Sequence, residues 1–265
     1  MSQIQLFGIL NVTPDSFSDG GEFLDTESAV KHAEQMFTEG ADYIDIGGQS
    51  TRPNAVEISW EEEWKRVEPV LKKLSGTTTA PSSLRNKISL DTFHWQTAQK
   101  FLTFGGRILN DVSGFQDPRM QELVPQFDMV VVNHFPGKTV QEVHEQNACL
   151  GLSGISSINQ VRDELLTRKE DLVRKGGNPE NIVLDPGIGF GKTMELNWEL
   201  LEFARAVPEE RVMIGHSRKR FLGEHRFEIE PNLEAGKKAI DAGASFLRVH
   251  DVREHRAMIQ TTNDK

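Results

Sequence analysis

The stretch INQVRDELLTRKEDLVRKGGNPENIVLDPGIGFGKT, residues 158–193, contains the repeating unit from which the fold of this protein can be predicted. Its first part is amphipathic and ends in Gly176 and Gly177, which is typical of a helix and its stop. A continuous apolar run then leads to Asp185, and a glycine-rich loop follows. An apolar run without alternating polar residues is typical of a parallel strand that is covered on both faces.

Apolar runs of this kind alternate with helical patterns along the whole chain. The candidate strands are QLFGILN (5–11), DYIDIGG (42–48), KISLDT (87–92), RILNDVSG (107–114), DMVVVNHF (128–135), NIVLDPG (181–187), RVMIGHS (211–217) and SFLRVHD (245–251). Between them, Ser59 and Glu62 form a capping box, and Gly40 follows an apolar helical stripe. Eight strand–helix repeats in about 250 residues predict a (β/α)₈ TIM barrel, with a doubly wound open sheet as the alternative. No linker or shift in composition divides the chain, so we expect residues 1–265 to form a single domain.

The composition is that of a globular protein with an acidic balance. Lys and Arg total 30 against 40 Asp and Glu, giving a formal net charge of −10, which argues against general nucleic-acid binding. The single cysteine, Cys149, excludes an internal disulfide and a cysteine-built metal site. No apolar run approaches the roughly 20 residues that cross a bilayer, and the N-terminus lacks the basic region of a signal peptide. These features predict a cytoplasmic protein without membrane association.

The run GIGFGKT, residues 187–193, superficially resembles a loop that wraps nucleotide phosphates. Such a loop needs four residues between its first glycine and the Gly-Lys pair. That position is occupied by Pro186, which has no backbone N–H to donate to a phosphate. Nucleotide binding at this loop is therefore not expected.

Polar residues occur where each apolar run ends. They are Asn11, Asp45, Asp91, Asn110, Asp111, Asn133, His134, Asp185, the run HSRKR (216–220), Arg248, His250 and Asp251. One such residue is often a helix N-cap, but eight consecutive strand ends are harder to explain in that way. Because functional residues of a barrel lie past the carboxyl ends of its strands, they predict a polar cup at that face.

The cup divides by chemistry into two parts. Carboxylate and amide groups suit the donor edge of a flat heterocycle, and they are supplied by Asp91, Asn110 and Asp185. Cationic side chains suit a phosphorylated group, and they are supplied by Arg218, Lys219, Arg248 and His250. Asn11 offers an oxygen ligand of the kind that Mg²⁺ accepts alongside phosphate oxygens and water.

Six motifs carry a resemblance to a known family. In chain order, GILNVTPDSFSDGG, DIGGQSTRP, ILNDVSGF, LDPGIGFGK, SRKRFLG and RVHDV resemble the motifs of dihydropteroate synthases, and the similarity runs from about residue 6 to residue 253. The resemblance implies a (β/α)₈ barrel that condenses 6-hydroxymethyl-7,8-dihydropterin pyrophosphate with p-aminobenzoate, giving 7,8-dihydropteroate and pyrophosphate in folate biosynthesis. It also implies SN1-like loss of pyrophosphate, Mg²⁺ as cofactor and inhibition by sulfonamides.

The resemblance assigns roles to particular residues. It implies pterin binding by Asp91, Asn110, Asp185, Phe190, Lys219 and Arg248. It implies pyrophosphate binding by Asn11, Arg248 and His250, with Mg²⁺ held at Asn11. It implies a p-aminobenzoate pocket made by Phe17, Thr51, Arg52, Pro53, Phe190, Ser217 and Lys219. The residues expected to act in catalysis are Asn11, Asp91, Lys219, Arg248 and His250.

The sequence also departs from the family pattern. Gln49 and Asn54 stand where the family usually has Glu and Gly, and VNHFPG replaces a Met-His-Met-rich run. The segment before the last strand, within residues 224–244, is short and polar where the family typically has an Ala-rich helix, so a homodimer of the usual kind is in question. Residues 136–156 match no element. A non-catalytic pterin-binding paralogue and a pterin-dependent methyltransferase are the alternative functions.

Overall fold

Eight parallel strands form a closed barrel in chain order, with β1 pairing to both β2 and β8. The computed structural model describes residues 4–13, 21–49, 56–76, 86–137, 142–143 and 155–263. The strands are β1 Gln5–Asn11, β2 Tyr43–Gly47, β3 Ile88–Asp91, β4 Ile108–Asp111, β5 Met129–Asn133, β6 Ile182–Asp185, β7 Arg211–Ile214 and β8 Phe246–Val249. Each lies within a predicted apolar run. The TIM barrel prediction is confirmed, and the open-sheet alternative is wrong.

A helix follows each strand. The helices are α1 Gly21–Thr38, α2 Trp60–Gly76, α3 Trp95–Thr103, α4 Pro118–Gln121, α5 Ile158–Arg174, α6 Met194–Glu199, α7 Ile229–Asp241 and α8 Val252–Asn263. Short 3₁₀ turns occur at Val124–Gln126, Pro179–Asn181, Leu200–Ala206 and Arg220–Leu222. The predicted helix signals are present: the Ser59 hydroxyl accepts from the Glu62 N–H at 3.3 Å, and Gly40 has a φ of +102° after α1.

Side-chain alternation along the strands produces two apolar regions. One lies between the strands and the helices and includes Leu6 and Leu10 of β1. The other fills the barrel and consists of Phe7, Ile108, Met129, Val131, Val183, Met213 and Phe246, with Tyr43 packed against it. Side chains on one face of a strand recur every second residue. The residue two positions after each member of this filling therefore also faces the barrel axis.

The prediction of a single domain over residues 1–265 stays a prediction. The helices that the structure describes include none that is long and apolar enough to cross a membrane. The segment that departs from the family pattern contains a regular helix, α7, which buries Asn232, Ala235, Gly236 and Ala239 against the rest of the protein.

Candidate active site

The candidate site lies at the carboxyl ends of the strands, directly above the apolar filling of the barrel. Six strands carry a polar side chain toward the axis, two residues beyond a member of the filling or, in β3, two residues beyond the buried Ser89. These side chains are Asp45, Asp91, Asn110, Asn133, Asp185 and Arg248. The alternation of strand side chains therefore converts an apolar layer into a polar one within a single step.

Hydrogen bonds connect five of these residues into one chain across the barrel. Asn133 Nδ2 donates to the side-chain oxygen Oδ1 of Asn110 at 3.0 Å, and Asn110 Nδ2 donates to Asp45 Oδ2 at 2.8 Å. Arg248 donates through Nε to the same Asp45 oxygen at 2.6 Å and through Nη2 to Asp91 Oδ2 at 2.7 Å. The structure thus brings together Asp91, Asn110 and Arg248, as the sequence predicts.

Asp45 belongs to the polar residues of the predicted cup, but the sequence assigns it no role in binding or catalysis. Its carboxylate is fully buried, and Arg248 and Asn110 both donate to Oδ2, while Oδ1 has no partner among the described residues. The signal was present in the strand DYIDIGG, because Tyr43, Asp45 and Gly47 share one face. A carboxylate on the inward face of a barrel strand needs a cation, and Arg248 is that cation.

Burial and neighbouring charges shift the proton affinity of Asp91. Burial raises the pKa of Asp91 to about 7, Arg248 opposes that shift, and the Asp45 carboxylate adds to it. Arg248 stays protonated between the two carboxylates. Asp91 therefore gains or loses its proton near neutral pH and accepts a hydrogen bond best when it is ionised.

Asp185 ends β6, three strands along the barrel from Asp91 in β3, and is held by its own loop. Its Oδ1 accepts from the Gly187 N–H at 2.7 Å, and burial raises its pKa, against the effect of Lys219. A Cβ on Gly215 would lie 3.5 Å from Asp185 Oδ2 and 3.9 Å from Lys219 Nζ. Because glycine has no side chain, the space between the Asp185 carboxylate and the Lys219 ammonium group stays open at Gly215.

The glycine-rich loop is shaped by Lys192, whose ammonium group points into the protein. Lys192 Nζ donates to three backbone carbonyls, those of His134 (3.2 Å), Gly187 (2.9 Å) and Phe190 (2.9 Å). Gly187, Gly189 and Gly191 all have positive φ. A lysine in this position holds a turn together and does not reach a phosphate, in agreement with the sequence argument against a nucleotide loop.

Lys219 and Phe190 form the wall beside Asp185. Lys219 Nζ lies 4.8 Å from the centre of the Phe190 ring and donates to the Ile188 carbonyl. Burial lowers the pKa of Lys219 to about 8, although the charge of Asp185 opposes that shift. The wall therefore carries an aromatic face and an ammonium group that is partly deprotonated above neutral pH.

Ser217 and His250 form a hydrogen-bonded pair on the loops after β7 and β8. Ser217 Oγ lies 2.9 Å from His250 Nδ1, and the His250 backbone N–H donates to the same oxygen at 3.2 Å. Arg218, which the sequence grouped with the anion-binding cations, instead pairs with Asp251 at 2.6 Å. Its guanidinium is thereby partly neutralised within the loop.

Asn11 occupies the end of β1, opposite Gly47 in the strand register, and is half-buried. Within the part of the chain that the structure describes, its side chain forms no hydrogen bond, so its amide oxygen is available to a ligand. The structure does not bring Asn11 into the hydrogen-bonded chain of the other site residues. Phe17, Thr51, Arg52 and Pro53 lie outside the described residues.

Comparison with known proteins gives matches over nearly the whole chain. The model of the family described as pterin binding enzyme matches residues 7–250. The dihydropteroate synthase of Mycobacterium leprae is 36% identical over 96% of this chain and 90% of its own length. The mitochondrial folate synthesis bifunctional protein of Arabidopsis thaliana is 37% identical over 96% of this chain, which spans 48% of that longer protein.

Solved structures give the same result. The dihydropteroate synthase of Xanthomonas albilineans, solved with 4-aminobenzoic acid, has a TM-score of 0.83 and 32% identity, over 99% of this chain and 93% of that one. The dihydropteroate synthase of Yersinia pestis, solved with a sulfonamide drug, has a TM-score of 0.83 and 30% identity, over 100% of this chain and 96% of that one.

Proposed function

The chain belongs to the dihydropteroate synthase family of pterin binding enzymes, and we propose that it transfers the dihydropterinylmethyl group of 6-hydroxymethyl-7,8-dihydropterin pyrophosphate to the amino nitrogen of p-aminobenzoate. In this reaction the C–O bond to the pyrophosphate breaks, and its electron pair leaves with the pyrophosphate. The resulting cation is delocalised into the pterin ring. The amino nitrogen of p-aminobenzoate then forms the new C–N bond and loses a proton.

The observation that carries this proposal is the joint placement of hydrogen-bond acceptors and cations above the barrel filling. Asp91, Asn110 and Asp185 offer oxygens at the carboxyl ends of three strands, and Arg248 and Lys219 lie among them. A pterin presents adjacent N–H groups that a buried carboxylate can accept from, which offsets the cost of burying that carboxylate. We propose that these five residues hold the pterin, with Phe190 against it.

The anionic end of the substrate would be held by residues at the carboxyl ends of β1 and β8 and by His250, just past β8. Arg248 and His250 supply cationic or hydrogen-bonding groups on that side of the cup, and Asn11 supplies an amide. Cations aimed at a leaving group stabilise the charge that develops on it in the transition state. No covalent nucleophile is needed, so we propose that Ser217 acts through its hydrogen bond with His250 and as a contact for p-aminobenzoate.

We propose Mg²⁺ as the cofactor, on the basis of the amide oxygen of Asn11 at the end of β1. Mg²⁺ takes oxygen ligands and, with phosphorylated substrates, keeps several waters beside one or two protein ligands. Among the described residues no group of three or more His, Cys, Asp or Glu side chains could hold a metal ion. We propose that Asn11 is the protein ligand and that pyrophosphate oxygens and water complete the coordination. When bound there, Mg²⁺ neutralises charge on the leaving group.

Phe17, Thr51, Arg52 and Pro53 remain proposed contacts for p-aminobenzoate, as does Ser217. Sulfonamide binding at that site is proposed on the same basis, and the Yersinia pestis relative has been solved with a sulfonamide drug. A homodimer also remains a prediction.

The decisive experiment measures pyrophosphate release from the dihydropterin pyrophosphate in the presence of Mg²⁺, with and without p-aminobenzoate. We expect release that depends on p-aminobenzoate and is lost in Asp185→Ala. Asp241→Ala, which changes an exposed carboxylate at the end of α7, is the control and should keep full activity. Pterin binding without pyrophosphate release would contradict the synthase and support a non-catalytic pterin-binding protein.

A further inference from the structure

The turn after β7 contains a strained residue between two candidate substrate contacts. Arg218 has a φ of +60°, in the left-handed region that non-glycine residues rarely occupy. Ser217 and Lys219 flank it directly. Because they are its immediate neighbours, the conformation of Arg218 sets the direction in which both side chains leave the backbone. Such a conformation persists only where the surrounding structure enforces it.

Asn232 of α7 is hydrogen-bonded to the backbone of this turn. It is fully buried, and its Oδ1 accepts from the Arg218 backbone N–H at 2.7 Å. Its Nδ2 donates to the Arg226 carbonyl at 2.8 Å and to the Glu228 carbonyl at 2.6 Å. One side-chain amide thus ties the turn to the segment that leads into α7. Neither a carboxylate nor an aliphatic side chain can make all three hydrogen bonds.

The same face of α7 also supports the residue that precedes the turn. Gly236 lies one helical turn after Asn232, and a Cβ there would lie 3.3 Å from His216 Nε2 and 3.2 Å from His255 Cδ2. The two rings contact each other, with their Nε2 atoms 3.2 Å apart. Residues 216–218 therefore pack against Asn232 and Gly236 of α7.

A second connection returns from the turn to α8. The Arg218 guanidinium pairs with Asp251 at 2.6 Å, and the Asp251 backbone carbonyl accepts from His255 Nδ1 at 2.7 Å. This hydrogen bond puts the His255 proton on Nδ1, so His216 must donate from Nε2 to the Nε2 of His255. The turn is therefore held from α7 and from the start of α8. Beside the turn's own hydrogen bond from the Lys219 N–H to the His216 carbonyl at 3.3 Å, Asn232 bonds directly to its backbone, at the Arg218 N–H.

We propose that Asn232 is a positioning residue, which enforces the left-handed conformation of Arg218 and thereby orients Ser217 and Lys219 toward the substrate. This inference rests on the proposed function of those two side chains. It also gives the polar character of α7 a specific role. Asn232 is a polar residue of this helix, and its amide holds the turn that carries Ser217 and Lys219.

The first test does not depend on activity. Amide hydrogen exchange of the peptide covering residues 214–222 is measured on the ligand-free protein for the wild type and for Asn232→Leu. We expect exchange at Arg218 to be at least tenfold faster in Asn232→Leu. Ile240→Ala is the matched control, because it removes packing from the same helix against the main core without touching the turn. Equal exchange in Asn232→Leu and the wild type would overturn the proposal.

The second test separates positioning from general damage. Burial lowers the pKa of Lys219, so a Lys219 that is displaced toward solvent should move the alkaline limb of the pH–rate profile to higher pH in Asn232→Leu but not in Ile240→Ala. KM for p-aminobenzoate should rise more than tenfold. Adding Arg218→Gly to Asn232→Leu should recover part of the loss, since glycine adopts positive φ without strain. An alkaline limb at the same pH in Asn232→Leu and the wild type, or no recovery of activity on adding Arg218→Gly, would contradict the positioning role of Asn232.

If Asn232→Leu does not fold, Asn232→Asp answers the same question. Asp keeps the acceptor for the Arg218 N–H and removes both donations to carbonyls, so the exchange protection of Arg218 should survive while the 226–228 segment loosens. Loss of protection at Arg218 in this variant would refute the proposed contact. A wild type that exchanges as expected but releases no pyrophosphate would reject the proposed function alone.

Discussion

Arg248 of β8 donates from Nε to the fully buried Asp45 of β2 at 2.6 Å, joining residues that lie 203 positions apart in the chain. The other arm of the guanidinium reaches Asp91 of β3 at 2.7 Å. Because one planar cation serves two carboxylates, each acidic group is compensated while part of Asp91 stays open to the cup. The arrangement makes Asp45 a support for the site and Asp91 a contact surface.

Replacing Arg248 by Lys should break this bridge while keeping the charge. An ammonium group lacks the planar fork and reaches one carboxylate at a time. We expect kcat/KM to fall roughly 100-fold, which corresponds to about 2.7 kcal/mol of transition-state stabilisation. The steady-state rate and the free energy of unfolding should be measured together. Arg253→Lys is the control, since Arg253 is an exposed partner of Glu39, and it should change neither quantity.

The pH dependence of kcat/KM should be a narrow bell. Asp91, whose pKa is about 7, must be ionised to accept from the pterin, so activity rises as the pH passes that value. Lys219, whose pKa is about 8, must stay protonated, so activity falls above it. Lys219→Arg should remove the alkaline limb. A rate that is constant between about pH 6 and about pH 9 would contradict both assignments.

Asp45→Asn tests the electrostatic link directly. The charge of Asp45 raises the pKa of Asp91, so a neutral amide at position 45 should lower that pKa. The acid limb of the kcat/KM profile should then move to lower pH, with the alkaline limb unchanged. The exposed Asp241→Asn serves as the comparison. An acid limb that does not move would show that Asp91 is not the group that titrates there.

Two glycines with positive φ separate backbone strain from steric clash. Gly223 has a φ of +78° and a ψ of −154°, a region that is essentially restricted to glycine, and none of the described atoms lies within 4 Å of an added Cβ, so Gly223→Ala should cost about 1–3 kcal/mol from backbone strain alone. Gly187 has a φ of +64°, but an added Cβ would lie 2.1 Å from the His134 carbonyl oxygen. Gly187→Ala should therefore destabilise far more and should also abolish pterin binding, because the Gly187 N–H donates to Asp185. Denaturant unfolding and calorimetric titration with a pterin measure the two effects.

Lys192→Met tests whether this lysine holds the loop. Removing three hydrogen bonds to buried carbonyls should lower the free energy of unfolding by about 3 kcal/mol in the absence of any ligand. If Lys192 served to bind a phosphate instead, replacing it would change the free energy of unfolding very little. Lys175→Met, at the exposed end of α5, is the control and should be neutral. Equal stability of the two variants would disprove the structural role of Lys192.

The strand and helix order was predictable because it depends on local pattern. Eight continuous apolar runs, separated by helical periodicity, predict parallel strands covered on both faces; their number favours a barrel over a doubly wound open sheet, and the structure shows the closed barrel. The rim residues followed from the same logic, since each polar group comes directly after its run. The sequence places Asp45 among the polar residues of the cup but assigns it no role, because its partner Arg248 lies 203 positions away in the chain.

The amino-acid sequence by itself therefore determined the barrel, the polar cup and the family. The tertiary structure decided which groups pair within the cup. Barrel closure brings β8 beside β1, and the shared interior brings Arg248 to Asp45 and Asp91. Packing against α7 determines that Asn232 holds Arg218, and the loop after β6 turns Lys192 inward. These pairings depend on strand register and on side-chain direction in three dimensions, which no local periodicity encodes.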